Sequence, residues 1–166
     1  YNPQFNRELL QRSLHEHGIT YVFLGEELGA RRSERECYVN GRVDYELISR
    51  TPAFQRGIDR VVQGAVKMRV ALMCAEKDPL DCHRCILAAP HLRRRKLEVF
   101  HILADGTLET HEETEKRLLH LFELSERELF RSPEEIVAEA YKFQGEKVAY
   151  HEEDLVLREE PPRYGN

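Results

Sequence analysis

The sequence predicts an α/β fold: three layers, α/β/α, around a mostly parallel, Rossmann-like sheet whose first strand-helix-strand portion is missing. Three observations predict it. β-Branched and aromatic residues cluster in Ile19-Thr20-Tyr21-Val22-Phe23-Leu24, as strands prefer. Val70-Ala71-Leu72-Met73 is a short apolar run with little alternation, which suits a strand buried on both faces. Leu97–Leu103 is a third such run, and segments of helical period separate the three. The first helix has no strand ahead of it, and three strands are few for a parallel sheet. The chain also begins Tyr1-Asn2-Pro3 without an initiator Met. A preceding portion, with any targeting signal it carried, is therefore expected.

Residues 3–17 read as a helix. Pro3 stands near its first turn, Phe5, Leu9, Leu10 and Leu14 recur along one face, and Gly18 follows as a C-cap. After the strand at 19–24 comes a long polar loop, to about Gly41, with a short turn of helix. It carries Arg31, Arg32, Arg35 and Cys37, and loops of this length are often functional. A short helix is expected at 44–50. Thr51-Pro52 is an N-cap followed by Pro at the first helical position, opening a helix to about Val66 with Phe54, Ile58, Val61 and Val62 on its apolar face.

The strand at 70–73 leads into a polar turn over 75–81 that holds Pro79, and then a helix over 82–95 that Pro90 kinks or interrupts. Beyond the strand at 97–103, Asp105-Gly106 signals a turn. A long helix is expected over 111–130. Ser132-Pro133-Glu134-Glu135 is a capping-box start for a last helix ending before Gly145. Val148–Leu157 reads as a strand or docked tail. One domain is expected over 1–158, with a loose tail at 159–166.

The composition is that of a globular protein: 41% hydrophobic and 33% charged in 166 residues. No run approaches the roughly 20 apolar residues of a membrane span, and no signal-peptide pattern is visible, so a cytoplasmic protein without membrane partners is expected. Four cysteines, three of them between 74 and 85, are too few for a disulfide scaffold. The net charge of −5 argues against general nucleic-acid binding. Arg93-Arg94-Arg95-Lys96 is a local basic patch, but at a helix C-terminus the dipole already favours it.

The functional face is expected around Cys74-Ala-Glu-Lys-Asp-Pro-Leu-Asp-Cys82-His83-Arg84-Cys85. In open α/β sheets ligands gather at the carboxyl ends of strands, where Cys74 would lie. A helix start at Cys82 attracts anions and lowers the pKa of a thiol, and Arg84 adds a cation with a rigid fork of donors. Cys74, Glu76, Cys82 and His83 are the candidate catalytic groups, as thiol nucleophiles with a base beside them. Arg31, Lys77 and Arg84 are the candidate ligand-binding cations. Burial of Cys74 and Cys85 as small apolar residues is the competing reading. Zinc on Cys74, Cys82, His83 and Cys85 is disfavoured, because adjacent Cys82 and His83 would point apart on a helix. No metal or cofactor is expected. Cys37 is expected to be exposed, as are His111, His120 and His151, while His101 is a weaker site candidate.

Met73-Cys74-Ala75-Glu76-Lys77-Asp78-Pro79 with Cys82-His83-Arg84 resembles the signature of the DUF488 family, a group of uncharacterised bacterial and archaeal proteins. Asn2–Asn6, Tyr21–Gly29 and His101–Gly106 are similar to further family segments, so the resemblance covers roughly residues 1–125. It implies that Cys74, Glu76, Lys77, Cys82, His83 and Arg84 are motif residues and that Arg31 matches a basic loop position. The family's front portion, with an Asp-x-Arg segment at a strand end, has no counterpart here. The expected function is binding of a small anionic, phosphate- or nucleotide-like ligand, with thiol chemistry open. A nucleic-acid-associated or regulatory binding protein and a structural domain with buried cysteines are the alternatives. A homo-oligomer is compatible with all three.

Overall fold

The computed structural model describes residues 5–151. Helix α1 spans Arg7–Glu16 and closes on Gly18, whose φ of +71° lets the Ile19 N–H reach the Leu14 carbonyl. Pro3 lies outside the described residues. Residues 19–24 follow without ladder pairing, then a short α2 at Gly25–Leu28 and a single 3₁₀ turn at Arg35–Cys37. Strands β1 (Tyr38–Val39) and β2 (Arg42–Val43) form a small antiparallel hairpin.

Asp44 caps α3, Tyr45–Arg50, by accepting from the Leu47 N–H. Thr51 caps α4, Pro52–Lys67, by accepting from the Phe54 N–H. The 3₁₀ turn Pro79–Asp81 precedes a π-turn at Arg84–Ala88 and α5 at Ala89–Arg94. The π-turn runs directly into α5, with Ala88 and Ala89 both in helical backbone, so Pro90 lies inside one helical run that changes from π to α just ahead of it, the local interruption expected of a proline there.

β3 (Phe100–Ile102) pairs antiparallel with β4 (Leu108–Thr110) across the Asp105-Gly106 turn, in which Gly106 takes a φ of +85°. Helices α6 (His111–Leu121) and α7 (Pro133–Val148) both begin with complete capping boxes, Thr110 with Glu113 and Ser132 with Glu135.

The chain is thus a mixed helix–strand fold, and among the described residues its sheets are two small antiparallel hairpins. This corrects the expected Rossmann-like parallel sheet. A strand needs a partner as well as a sequence with β propensity. The runs at 19–24 and 70–73 carry no ladder among the described residues, and Ile19, Val22, Phe23, Val70 and Met73 remain exposed. The long helix expected at 111–130 stops at Leu121, where Glu123 adopts a positive φ. Helix α7 runs past Gly145, which is buried against the Tyr45 ring and so packs rather than terminates. The run 148–157 and the tail at 159–166 lie largely or wholly outside the described residues.

Two apolar clusters hold these elements. Leu28, Ile48, Phe54, Ile58, Leu87 and Leu92 form one, and Leu80, Cys85, Ile86, Leu118, Ile136 and Ala140 form the other. The π-turn lies between them, with Leu87 and Ala88 in the first cluster and Cys85 and Ile86 in the second. A Cβ on Gly57 would come within 2.7 Å of side-chain carbons of Glu27 and Leu28, so glycine is what lets α2 lie directly on α4. Among the described residues, no helix is long and apolar enough to cross a membrane.

Candidate functional site

The segment from Leu72 to Arg84 is fastened at several points. Asp78 accepts from the Leu80 N–H and is itself held by Arg117 at 2.7 Å. Gln144 of α7, fully buried, donates to the Leu80 carbonyl at 2.7 Å. Arg84 then turns back over the loop. Its Nε donates to the Cys82 sulfur at 3.0 Å, while its terminal nitrogens donate to the Leu72 carbonyl at 3.3 Å and the Glu76 carbonyl at 2.8 Å. The Arg84 fork therefore clamps the loop and braces a thiol, rather than standing free for a ligand as expected.

Four of the predicted residues meet. The donor atoms of Cys74, Glu76, Cys82 and His83 all lie within 4.8 Å of one another, and the Cys74 sulfur lies 3.5 Å from His83 Nδ1. Cys82 and His83 were expected to diverge as helix neighbours. Cys82 instead has extended backbone, with φ −121° and ψ 132°, and the helical turn starts only after it. That break lets consecutive side chains converge.

Their electrostatics differ sharply. A hydrogen bond from Cys74 holds the Cys82 thiol below its ordinary pKa, against the opposing effect of burial and with help from Arg84. The same hydrogen bond to Cys82, together with burial and Glu76, drives the Cys74 thiol well up. The two sulfurs therefore titrate as one coupled pair, in which Cys82 is the more acidic partner. Burial pushes Glu76 upward, but hydrogen bonds involving Cys74, its own backbone and Cys82 leave it below the usual carboxylate range. Burial lowers His83, so its ring is neutral near pH 7 and has a lone pair to accept a proton. The four donors are close enough to bridge a metal ion. The Arg84 guanidinium already balances a thiolate at Cys82, which disfavours a second cation at the same sulfur.

Cys74 is half-buried and lines an open pocket of about 470 Å³ with Glu76, His83, Arg31, Tyr45 and Tyr150. Such a volume suits a small molecule. Cys82 is wholly inaccessible behind it. Arg31 lies over the Tyr150 ring, 4.8 Å from its centroid. Tyr150 was not singled out from sequence, and only its aromatic character next to a charged tail hinted at it.

Lys77 does not join this pocket. It lines a separate cleft with Asp78, Asp105, Glu109 and Arg117. Arg32 is buried and donates to the carbonyls of Glu26 and Glu27, fixing the arginine-rich loop. Cys37 is fully buried, against expectation, because its 3₁₀ turn faces the first apolar cluster. His111 is also fully buried, as N1 of α6, and corrects its expected surface position. Cys85 is buried as expected, and burial raises its thiol to about 12.

A family model described as "Domain of unknown function DUF488" matches residues 1–90 of the chain. The match includes the whole Cys74–Arg84 segment and Arg31, and it ends short of the resemblance read over 91–125. No curated protein and no solved structure gives a significant match.

Proposed function

Because the chain belongs to the family described as Domain of unknown function DUF488, whose description assigns no reaction, we propose from the site's own geometry that it binds a small anionic molecule and attacks it through the Cys74 thiol. The observation that carries this reading is the Cys74 sulfur. It lies on the wall of the pocket, 3.5 Å from His83 Nδ1 and beside the acidified Cys82 thiol. Arg31 is the cation on that wall, and it orients the ligand's anionic group. Glu76 and Asp81 line the same pocket, and their charge keeps the anion at the Arg31 end.

In the reacting step Cys74 gives its proton to the Cys82 thiolate or to neutral His83. Its sulfur then forms a bond to an electrophilic centre of the ligand, and the leaving group departs with the bonding pair. Arg84 keeps Cys82 charged until that moment. Two of the four cations in the basic run at 93–96 are engaged within the chain. Arg93 pairs with Glu112 at 2.9 Å and Arg95 with Asp59 at 2.6 Å, so no observation favours nucleic acid as a second reading.

Alkylation by two reagents of opposite character tests the pocket. Iodoacetate carries an anion and iodoacetamide does not. The ratio of their rates at Cys74 is expected to exceed the ratio for the unfolded chain. Arg31→Ala should lower that ratio several-fold while leaving the iodoacetamide rate close to wild type. Equal ratios in the wild type and the Arg31→Ala variant would remove anion binding from the reading.

A further inference from the structure

A second constellation lies outside the Cys74 pocket. Cys85 sits in the π-turn, His101 at the centre of β3 and His111 at the start of α6. The Cys85 sulfur and one ring nitrogen of each histidine all lie within 4.8 Å of one another. His101 Nε2 and His111 Nδ1 face each other at 2.9 Å. Cys85 and His111 are buried and His101 is half-buried.

Hydrogen bonding settles which nitrogen of His111 carries the proton. Tyr141 O–H lies 3.0 Å from Glu115 Oε1 and 2.8 Å from His111 Nε2. Glu115 is the carboxylate of this trio. As a carboxylate it can only accept, so the single Tyr141 hydroxyl proton goes to Glu115. His111 Nε2 must then donate to the Tyr141 oxygen, and Nε2 also lies 3.4 Å from Glu115 itself. Nδ1 is left with a lone pair, aimed at His101 and Cys85. Carboxylate groups that fix a histidine tautomer in this way are the usual outer partners of metal-ligating imidazoles.

We propose that Cys85, His101 and His111 form a three-donor site for a thiophilic divalent cation of the zinc class, with Glu115 and Tyr141 orienting His111. One thiolate and two imidazoles suit zinc or cobalt(II), and not magnesium or calcium, which want oxygen. Two nitrogens on one tetrahedral ion stand about 3.3 Å apart, given metal–nitrogen bonds of about 2.0–2.1 Å. The present 2.9 Å needs only a small ring adjustment. Charge and protons balance simply. Cys85 loses its proton to solvent, the His101 proton moves from Nε2 to Nδ1, and the ion takes one thiolate and two lone pairs. A fourth position stays open to water or a ligand on the half-exposed His101 side. The site uses none of the Cys74 pocket residues, so it stands or falls independently of the proposed function.

The test is cobalt(II) binding to the full chain carrying Cys74→Ser and Cys82→Ser, which removes the thiols of the first cluster. About one equivalent should bind, with thiolate-to-cobalt charge-transfer absorption in the near ultraviolet. Adding Cys85→Ser should abolish that absorption. Glu115→Gln should weaken binding about 10- to 100-fold. If the double variant fails to fold, the wild-type chain serves instead: His101→Ala, at a half-exposed position, should lower bound cobalt by one equivalent with an unchanged circular dichroism spectrum. Absorption that survives Cys85→Ser, or cobalt content unmoved by His101→Ala, would overturn the site.

Discussion

Replacing Arg84 with Ala is expected to slow alkylation of Cys74 tenfold or more at neutral pH. The Cys82 thiolate is the proton acceptor that frees Cys74, and Arg84 is the cation that holds it charged. Raising that thiol by one pKa unit costs about tenfold in thiolate at a pH below its pKa. Arg84→Lys should not rescue, because one ammonium cannot span the Cys82 sulfur and the carbonyls of Leu72 and Glu76 as the guanidinium does. Loss of the clamp should also cost about 2 kcal/mol of stability, typical for hydrogen bonds to a charged group. Rates of iodoacetamide labelling across pH, beside denaturant unfolding, separate the two effects. An unchanged labelling rate would remove Arg84 from its proposed role.

The same pair gives stability a definite pH dependence. Cys82 is lowered in the folded state, so its contribution is present above the unfolded thiol value and lost as pH falls through the folded one. Cys74 is raised, so its contribution is present below the unfolded value and lost as pH climbs beyond it. Together the two thiols stabilise the chain most near the ordinary thiol value of about 8.5, with a decline on each side.

Phe54→Ala is the substitution expected to damage the fold most. The Phe54 side chain is fully buried among Leu28, Ile48, Ile58, Leu87 and Leu92, and its ring meets His91 edge-on with centroids 5.0 Å apart. Truncation leaves a cavity where α4 meets α2, α3 and the π-turn, a change that typically costs about 3–5 kcal/mol. For a chain of this size each kcal/mol lowers the unfolding midpoint by about 2–4 °C, so a drop of roughly 10 °C is expected in a thermal scan. A loss below about 1 kcal/mol would mean that this cluster does not organise the fold as described.

Helix starts were legible in the sequence because their chemistry is local. Thr51-Pro52 and Ser132 with Glu135 cap α4 and α7 as read, and Gly18 ends α1 through its positive φ. Sheet was legible only in part: the strand read over 97–103 forms as β3 and the Asp105-Gly106 turn follows it, but a β-branched run does not name its partner. Residues 19–24 and 70–73 look like central strands and carry no ladder, whereas Leu108–Thr110, which looks like little, pairs with β3. At the site, the Cys74, Glu76, Cys82 and His83 positions could be named, since thiols next to histidine and arginine are chemically conspicuous. Their convergence could not, because it depends on Cys82 staying extended for one residue before the helical turn. Arg84 was visible as a cation, but only the fold shows its donors turned inward. His111 looked like a surface residue for want of any sign that Tyr141, thirty residues on, would cover it.

The central claim is that Cys74 alone among the cysteines meets the pocket and reacts there. Brief labelling of the native protein with a limiting amount of iodoacetamide, followed by peptide mapping, tests it directly. Label is predicted on Cys74, with Cys37, Cys82 and Cys85 modified only after unfolding. Label appearing first on Cys37, Cys82 or Cys85 in the native protein would contradict it.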